Sequence, residues 1–300
     1  MDDQKIYKLI KLFISLMGRL PRSFLMFFSD ALALTWFFMD KRHRNMVIYN
    51  IQQAYPGRFS DKAARQFAKK NFKHTASIFF TMIWAFPKPK ETLYKYCVFK
   101  GLEHIKAAQE KGRGVMIVSC HMGIFELVVP AIASVNIKLY ILYRPLDFNP
   151  LERLILESRQ RFGIVMVPLR KATGKISEVL QNNGIVATLL DQNVDWYKGA
   201  FVDFFGRPAC TNNGLAKLVL KTKPVVLPGF MRSEKEKFIL EILPEIPLQE
   251  TGDPIKDIEN NTQAYVSAIE SMVRRHPEQY FWVHNRWKTK PYCLLDQRAS

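Results

Sequence analysis

A chain of 300 residues, 48% apolar and 13% aromatic, can build one large core, or a core with a small appended segment, and its composition excludes intrinsic disorder. Its four cysteines, Cys97, Cys120, Cys210 and Cys293, show no CxxC spacing, which argues against a zinc ribbon or a disulfide scaffold and for a reducing compartment. A formal charge of +17 calls for an anionic partner, whether nucleic acid, lipid headgroups or an acidic carrier protein.

The N-terminal segment sets bulky apolar residues (Ile6, Leu9, Ile10, Leu12, Phe13, Leu16) against Lys5, Lys8 and Lys11. That is a helix with one apolar and one cationic face, of the kind that lies in a membrane interface. Arg19, Pro21 and Arg22 break it. A second, more apolar run of about 17 residues follows from Ser23 to Met39, carries Asp30 in its middle and ends on the basic cluster Lys41 to Arg44. It sits at the short edge of what a spanning helix needs, and its carboxylate disfavours spanning. A monotopic contact on a cytoplasmic face, with cations meeting anionic lipid, is the favoured reading; a single span and a buried helical hairpin are the alternatives. No small-residue cleavage site follows, so a cleaved signal is not expected.

Residues 58–84 read as a helix capped near Phe59-Ser-Asp61, with Lys62, Arg65, Lys69, Lys70 and Lys73 on its polar side. Those cations form a solvated face, with docking of an acidic carrier as a second role. From about residue 95, short apolar runs alternate with helical stretches. Strands are predicted near 114–120, 137–143, 164–168, 185–190, 224–231 and 237–243. Helices are predicted near 103–111, 124–134, 150–162, 173–182, 212–221 and 255–275. The alternation predicts an α/β fold, a mixed, mostly parallel sheet sandwiched by helices, preceded by the N-terminal helical membrane-associating segment. The expected division is 1–45 for that segment and 46–300 for the α/β domain.

The chemistry concentrates at predicted strand ends, where open α/β sheets place their ligands. The run Gly114 to Cys120 delivers His121, and Glu126 follows five residues later, early in a predicted helix. On one regular helix these side chains would point apart. Across a strand-loop-helix turn, Glu126 can fold back onto one ring nitrogen and aim the other at a substrate, as a general base and its orienting carboxylate. Arg144 emerges from the next strand in Tyr-Arg-Pro and suits a phosphate or a developing oxyanion. Asp191 ends the run Thr188 to Asp191. Pro224 to Pro228 is a proline-bracketed strand. Tyr280 to Lys288 packs aromatics with His284 and Arg286. Cys120, on the opposite face of the strand from His121, reads as core packing and not as a nucleophile. His43, His74, His104, His276 and His284 show no ligand spacing, so no metal is expected.

In this ordered set the chain resembles the bacterial lipid A biosynthesis (late) acyltransferases of the lysophospholipid acyltransferase superfamily. The resemblance rests on His121-x4-Glu126, Arg144, Asp191-Gln192 with Phe201 to Gly206, Pro224 to Pro228, and the stretch Gln279 to Pro291, and so covers nearly the whole chain. It implies transfer of an acyl chain from acyl carrier protein to a hydroxyl of a phosphorylated glycolipid, at the cytoplasmic face of a bacterial inner membrane. His121 is then the base and Glu126 its partner. Arg144, Asp191 and Arg286 are expected to bind substrate, Asp191 by holding the acceptor or by orienting Arg144. A thioester is already activated, so no enzyme nucleophile and no cofactor are needed beyond the acyl-thioester co-substrate. The same chemistry fits other acceptors (a glycerophospholipid, an acylated mannoside, an aminolipid), an acyl-coenzyme A donor, or hydrolysis of the thioester. Arg286 and Lys288 read equally as an exposed basic end. A non-enzymatic basic module for membrane or nucleic acid would explain the charge but not the strand-end residues, and no nucleic-acid motif accompanies it, so no nucleic-acid partner is expected.

Overall fold

In the computed structural model, residues 2–170 and 172–291 are described; Cys293 lies outside them. Four helices come first: α1 (Asp3–Met17), α2 (Arg22–Met39), α3 (Lys41–Ala54) and α4 (Asp61–Ala85). A short α5 (Lys90–Tyr94), β1 (Cys97–Lys100) and α6 (Leu102–Glu110) lead to β2 (Val115–Ser119). Then come α7 (Val128–Ala133), β3 (Leu139–Tyr143), α8 (Asn149–Gln160), β4 (Val165–Pro168), α9 (Ala172–Gln181) and β5 (Ile185–Leu189). A hairpin, β6 (Gly199–Asp203) with β7 (Pro208–Asn212), precedes α10 (Gly214–Thr222), β8 (Val225–Glu234), β9 (Lys237–Ile242) and α11 (Pro254–Arg275).

Seven strands form one sheet in the order β1-β9-β8-β2-β5-β3-β4. Every pairing is parallel except β8 with β9, a hairpin whose tip turns at Lys235 with φ of 53°. The mixed, mostly parallel sheet expected from the alternation is therefore the sheet observed. Strand β2 lies in its centre, and its continuous apolar run follows from burial on both faces. Met116 and Val118 face one core with α9, α10, α11 and the front half of α4. Val115 and Ile117 face the other with α5, α6 and α7. The period of two thus splits one run between two layers.

The N-terminal region departs from expectation at Lys41 to Arg44. This basic cluster does not close the apolar run; it opens α3, because the Asp40 carboxylate accepts the His43 main-chain N–H at 3.0 Å and caps the new helix. Ser60 caps α4 through the Ala63 N–H at 3.3 Å, within the stretch read as its start. The β6–β7 hairpin was not predicted. Its loop needs left-handed backbone at Phe205 (φ 58°) and Gly206 (φ 74°), and only the glycine advertises that in the sequence.

Candidate active site

The parallel strands β2, β5 and β3 end at the same sheet edge, with β5 in the middle. Ser119 pairs with Leu189, and the Leu190 N–H reaches the Ser119 carbonyl at 3.0 Å. Two residues beyond that register on each strand come His121 and Asp191. The meeting of these two side chains is thus set by the strand pairing itself.

Asp191 holds His121 twice: its carboxylate accepts the ring Nδ1–H at 2.8 Å and the main-chain N–H at 3.1 Å. The His121 carbonyl accepts the Phe281 N–H at 3.0 Å. Phe125 meets the imidazole edge-on, with centroids 5.1 Å apart, and Phe281 lies 6.1 Å away on a tilt. With Nδ1 occupied, Nε2 is the nitrogen a substrate can use, on a side chain one-fifth exposed. Burial disfavours the charged ring, but the charge of Asp191 and its hydrogen bond outweigh burial and hold His121 above the ordinary histidine value. Asp191 is 4% exposed. Burial alone would push it up, and the charge of His121 with its two hydrogen bonds brings it below the usual carboxylate range.

The hydrogen bond expected between Glu126 and the His121 ring is replaced by the one from Asp191. Glu126 sits on a 3-10 turn, Phe125–Leu127, where its two oxygens accept the fork of Arg159 from α8, Nη2 at 2.6 Å and Nε at 3.1 Å. The reason is topological: the carboxylate of the neighbouring strand is already in register with the ring. Glu126 still adds its charge to those that favour protonated His121. Arg144 follows β3, two strands from β2 at the same edge, and is 80% exposed, with Asp147 3.8 Å away as its ionic neighbour. Arg286 is not an exposed basic end. It is 2% exposed, donates to the carbonyl of Cys210 at 3.0 Å and to the hydroxyl of Thr211, and lies over the Phe204 ring. Cys120 is buried in the core beside β2, and burial pushes its thiol well up, which disfavours a nucleophilic thiolate.

Three contributors were not foreseen. Arg159 was one cation among several on a predicted helix, with nothing in its spacing to single it out. Tyr280 is fully buried, which raises its phenol, as do the charge of Asp191 and a hydrogen bond to it. His284, lowered by burial, accepts the Asn193 N–H on Nε2 at 2.8 Å, which fixes it as neutral. For the last two, the aromatic density of 280–288 and the resemblance carried by Gln279 to Pro291 pointed to the stretch, but not to Tyr280 or His284 individually.

Glu126 and Arg159 also line an apolar cavity of about 250 Å³ between α1, α4, α7 and α8, walled by residues such as Phe79, Met82, Leu127, Val129, Leu154 and Ile155. A mostly apolar pocket whose wall includes Glu126, on the turn that follows the strand-end histidine, suits a long-chain substrate.

A family profile described as bacterial lipid A biosynthesis acyltransferase matches residues 5–289. A lipid A biosynthesis acyltransferase of Haemophilus influenzae is 28% identical over 253 residues, covering 83% of this chain and 77% of the relative. A lipid A biosynthesis palmitoleoyltransferase of Escherichia coli is 27% identical over 257 residues, with 84% and 80% covered. A phosphatidylinositol mannoside acyltransferase of Mycobacterium tuberculosis is 24% identical over 194 residues, with 63% and 60% covered.

Proposed function

The chain belongs to the bacterial lipid A biosynthesis acyltransferases, and from that premise we propose that it moves a fatty acyl chain from an acyl-thioester to a hydroxyl of a phosphorylated glycolipid, with His121 as general base. The observation that carries this reading is the His121–Asp191 pair at 2.8 Å, set at the sheet edge.

In the proposed step Nε2 of His121 takes the proton of the acceptor hydroxyl as its oxygen attacks the thioester carbonyl. The tetrahedral intermediate collapses by breaking the C–S bond, and the imidazolium returns the proton to the leaving thiolate. Asp191 keeps the proton on Nδ1 and steadies the imidazolium formed in between. The Glu126–Arg159 pair keeps the turn after β2 in place and so positions the base from below. Arg144, exposed and cationic at the same edge, is proposed to receive an acceptor phosphate. The acyl chain occupies the apolar cavity. Acyl carrier protein is the proposed donor, drawn by the basic excess of the surface, with acyl-coenzyme A as the alternative thioester. The exposed apolar faces of α1 and α2 support work at a membrane surface, proposed to be the cytoplasmic side of the inner membrane.

The test is transfer from a defined acyl-thioester to lipid A precursor, read by mass spectrometry, for the parent and His121→Ala. Transfer is expected to disappear while membrane association persists; retained transfer refutes the base assignment.

A further inference from the structure

Helix α2 is, by length and composition, able to cross a membrane, with a mean hydropathy of 1.2. Its packing points elsewhere. Leu25, Ser29, Ala33 and Phe37, spaced four apart, form a buried seam directed at α4, and the small residues in its middle allow the two helices to approach closely. The front end is pinned by Arg22, which donates to Glu236 at 2.6 Å and lies 4.9 Å over the Phe238 ring. In the middle, Asp30 pairs with Lys73 of α4 at 2.5 Å. At the far end Phe37 and Trp36 pack on Phe72, at 5.5 and 4.6 Å. An 18-residue helix is about 27 Å long, and this one lies flat on the domain for all of that length.

The opposite face of α2 is apolar and bare: Phe24, Phe27, Phe28, Leu32, Phe38 and Met39 are exposed, Phe27 by 69%. Helix α1 continues that character with exposed Leu9, Leu12, Phe13 and Leu16. It is tied to α8 by Tyr7 and Lys11 on Glu157. Cations flank these stripes in exposed positions, Lys5, Lys8 and Arg19 around that of α1, Lys41 and Arg42 after that of α2. An apolar face edged by cations complements an anionic lipid surface. The same α4 that carries α2 also presents exposed Lys62, Arg65, Lys69 and Lys70. A perpendicular α2 would therefore have to abandon its seam or drag these charges into hydrocarbon.

We infer that α1 and α2 seat the protein in the plane of one anionic leaflet, with α2 lying flat beneath the α/β domain and neither helix crossing the bilayer. This deepens the membrane reading given above and rests on it. Phe79, exposed next to these helices, also lines the apolar cavity, so the seated face borders the wall through which a lipid chain can reach the site.

The test places an epitope tag ahead of Met1 of the full chain, expressed in bacterial cells, and adds protease to spheroplasts or to inverted inner-membrane vesicles. Expected is digestion of the tag in inverted vesicles only, the side on which Lys235 at the β8–β9 tip is also reached. Digestion of the tag in spheroplasts, with protection in inverted vesicles, overturns the proposal. A second arm uses the exposed face: Phe27→Glu with Phe28→Glu is expected to move most of the protein to the soluble fraction and to cut binding to vesicles rich in phosphatidylglycerol at least tenfold. Unchanged binding overturns the assigned face. Because these readouts are topology and partition, they stand whether or not acyl transfer proceeds through His121.

Discussion

Asp191→Asn tests the site with almost no change in shape. The carboxylate accepts two donors, the ring Nδ1–H at 2.8 Å and the His121 main-chain N–H at 3.1 Å. A carboxamide has one oxygen. The main-chain N–H cannot be rearranged, so the amide oxygen goes there, because leaving that buried donor opposite an amide NH2 costs about 1–3 kcal/mol. The NH2 then faces Nδ1, which must give up its proton, and the ring adopts the Nε2–H tautomer. The nitrogen proposed to accept the acceptor's proton now carries one. Loss of general-base function is worth about 10²- to 10⁴-fold in rate, or about 2.7–5.4 kcal/mol of transition-state stabilisation, while the fold is kept.

The pH dependence carries a sign as well. A base works when neutral, so activity of the parent rises with pH through the His121 value, which Asp191 holds above the ordinary 6.5. Without the carboxylate's charge, that acid limb moves to lower pH. In stability, raised His121 and lowered Asp191 place the full contribution of the pair between the unfolded values of about 3.9 and about 6.5. It is lost as pH rises through the folded histidine value or falls through the folded aspartate value. The assay is initial rate against pH by mass spectrometry, with thermal melts of the same samples. A variant within about fivefold of the parent, with an unmoved acid limb, refutes the assignment of Asp191 as the group that orients the base.

Arg159→Ala leaves Glu126, 15% exposed, without its fork. Breaking such a pair costs about 3–5 kcal/mol when fully buried, and partial exposure puts this one toward the lower end; urea melts read the loss, and Arg159→Ala combined with Glu126→Gln is expected to recover part of it. Gly123 has φ of 58°, and a Cβ there would lie 2.4 Å from the Met231 carbonyl, so Gly123→Ala is expected to lower stability by about 1–3 kcal/mol and to displace the turn that follows His121; an unchanged melt and rate would contradict the close approach. Ile155→Trp fills part of the 250 Å³ cavity and is expected to favour shorter acyl donors in a competition between chain lengths; an unchanged preference would exclude this cavity as the acyl site.

The sheet and most of its helices were legible because β2 is buried on both faces along nearly its whole length, and β2 and the first halves of β5 and β8 read as apolar runs between turn signals. His121 and Asp191 were also legible as strand ends. Their pairing was not, since it depends on β2 and β5 being neighbours, and strand order leaves no trace in local pattern. Proximity in sequence favoured Glu126 as the partner of the ring; strand register supplied Asp191 instead. Arg286 shows the opposite limit. A cation in a basic stretch reads as surface, whereas here burial is made possible by carbonyl and hydroxyl acceptors from β7, some 75 residues away. Arg159 lies on a face of α8 whose significance exists only once the turn after β2 packs against it.

The peptide of His121 is bonded to the main chain of Phe281, Gly123 to Gln279, and Met122 bridges Tyr280, while the amides of Asn50 and Asn71 grip carbonyls between 278 and 284. A ribosome adding about 5–20 residues per second needs roughly 10–30 s to travel from the base to the segment that fixes it. Throughout that interval the greasy helices at the front of the chain are already outside and able to meet lipid. The strand end that carries His121 is therefore completed only when the last-made aromatic segment is available to pair with it, well after the N-terminal helices have been synthesised.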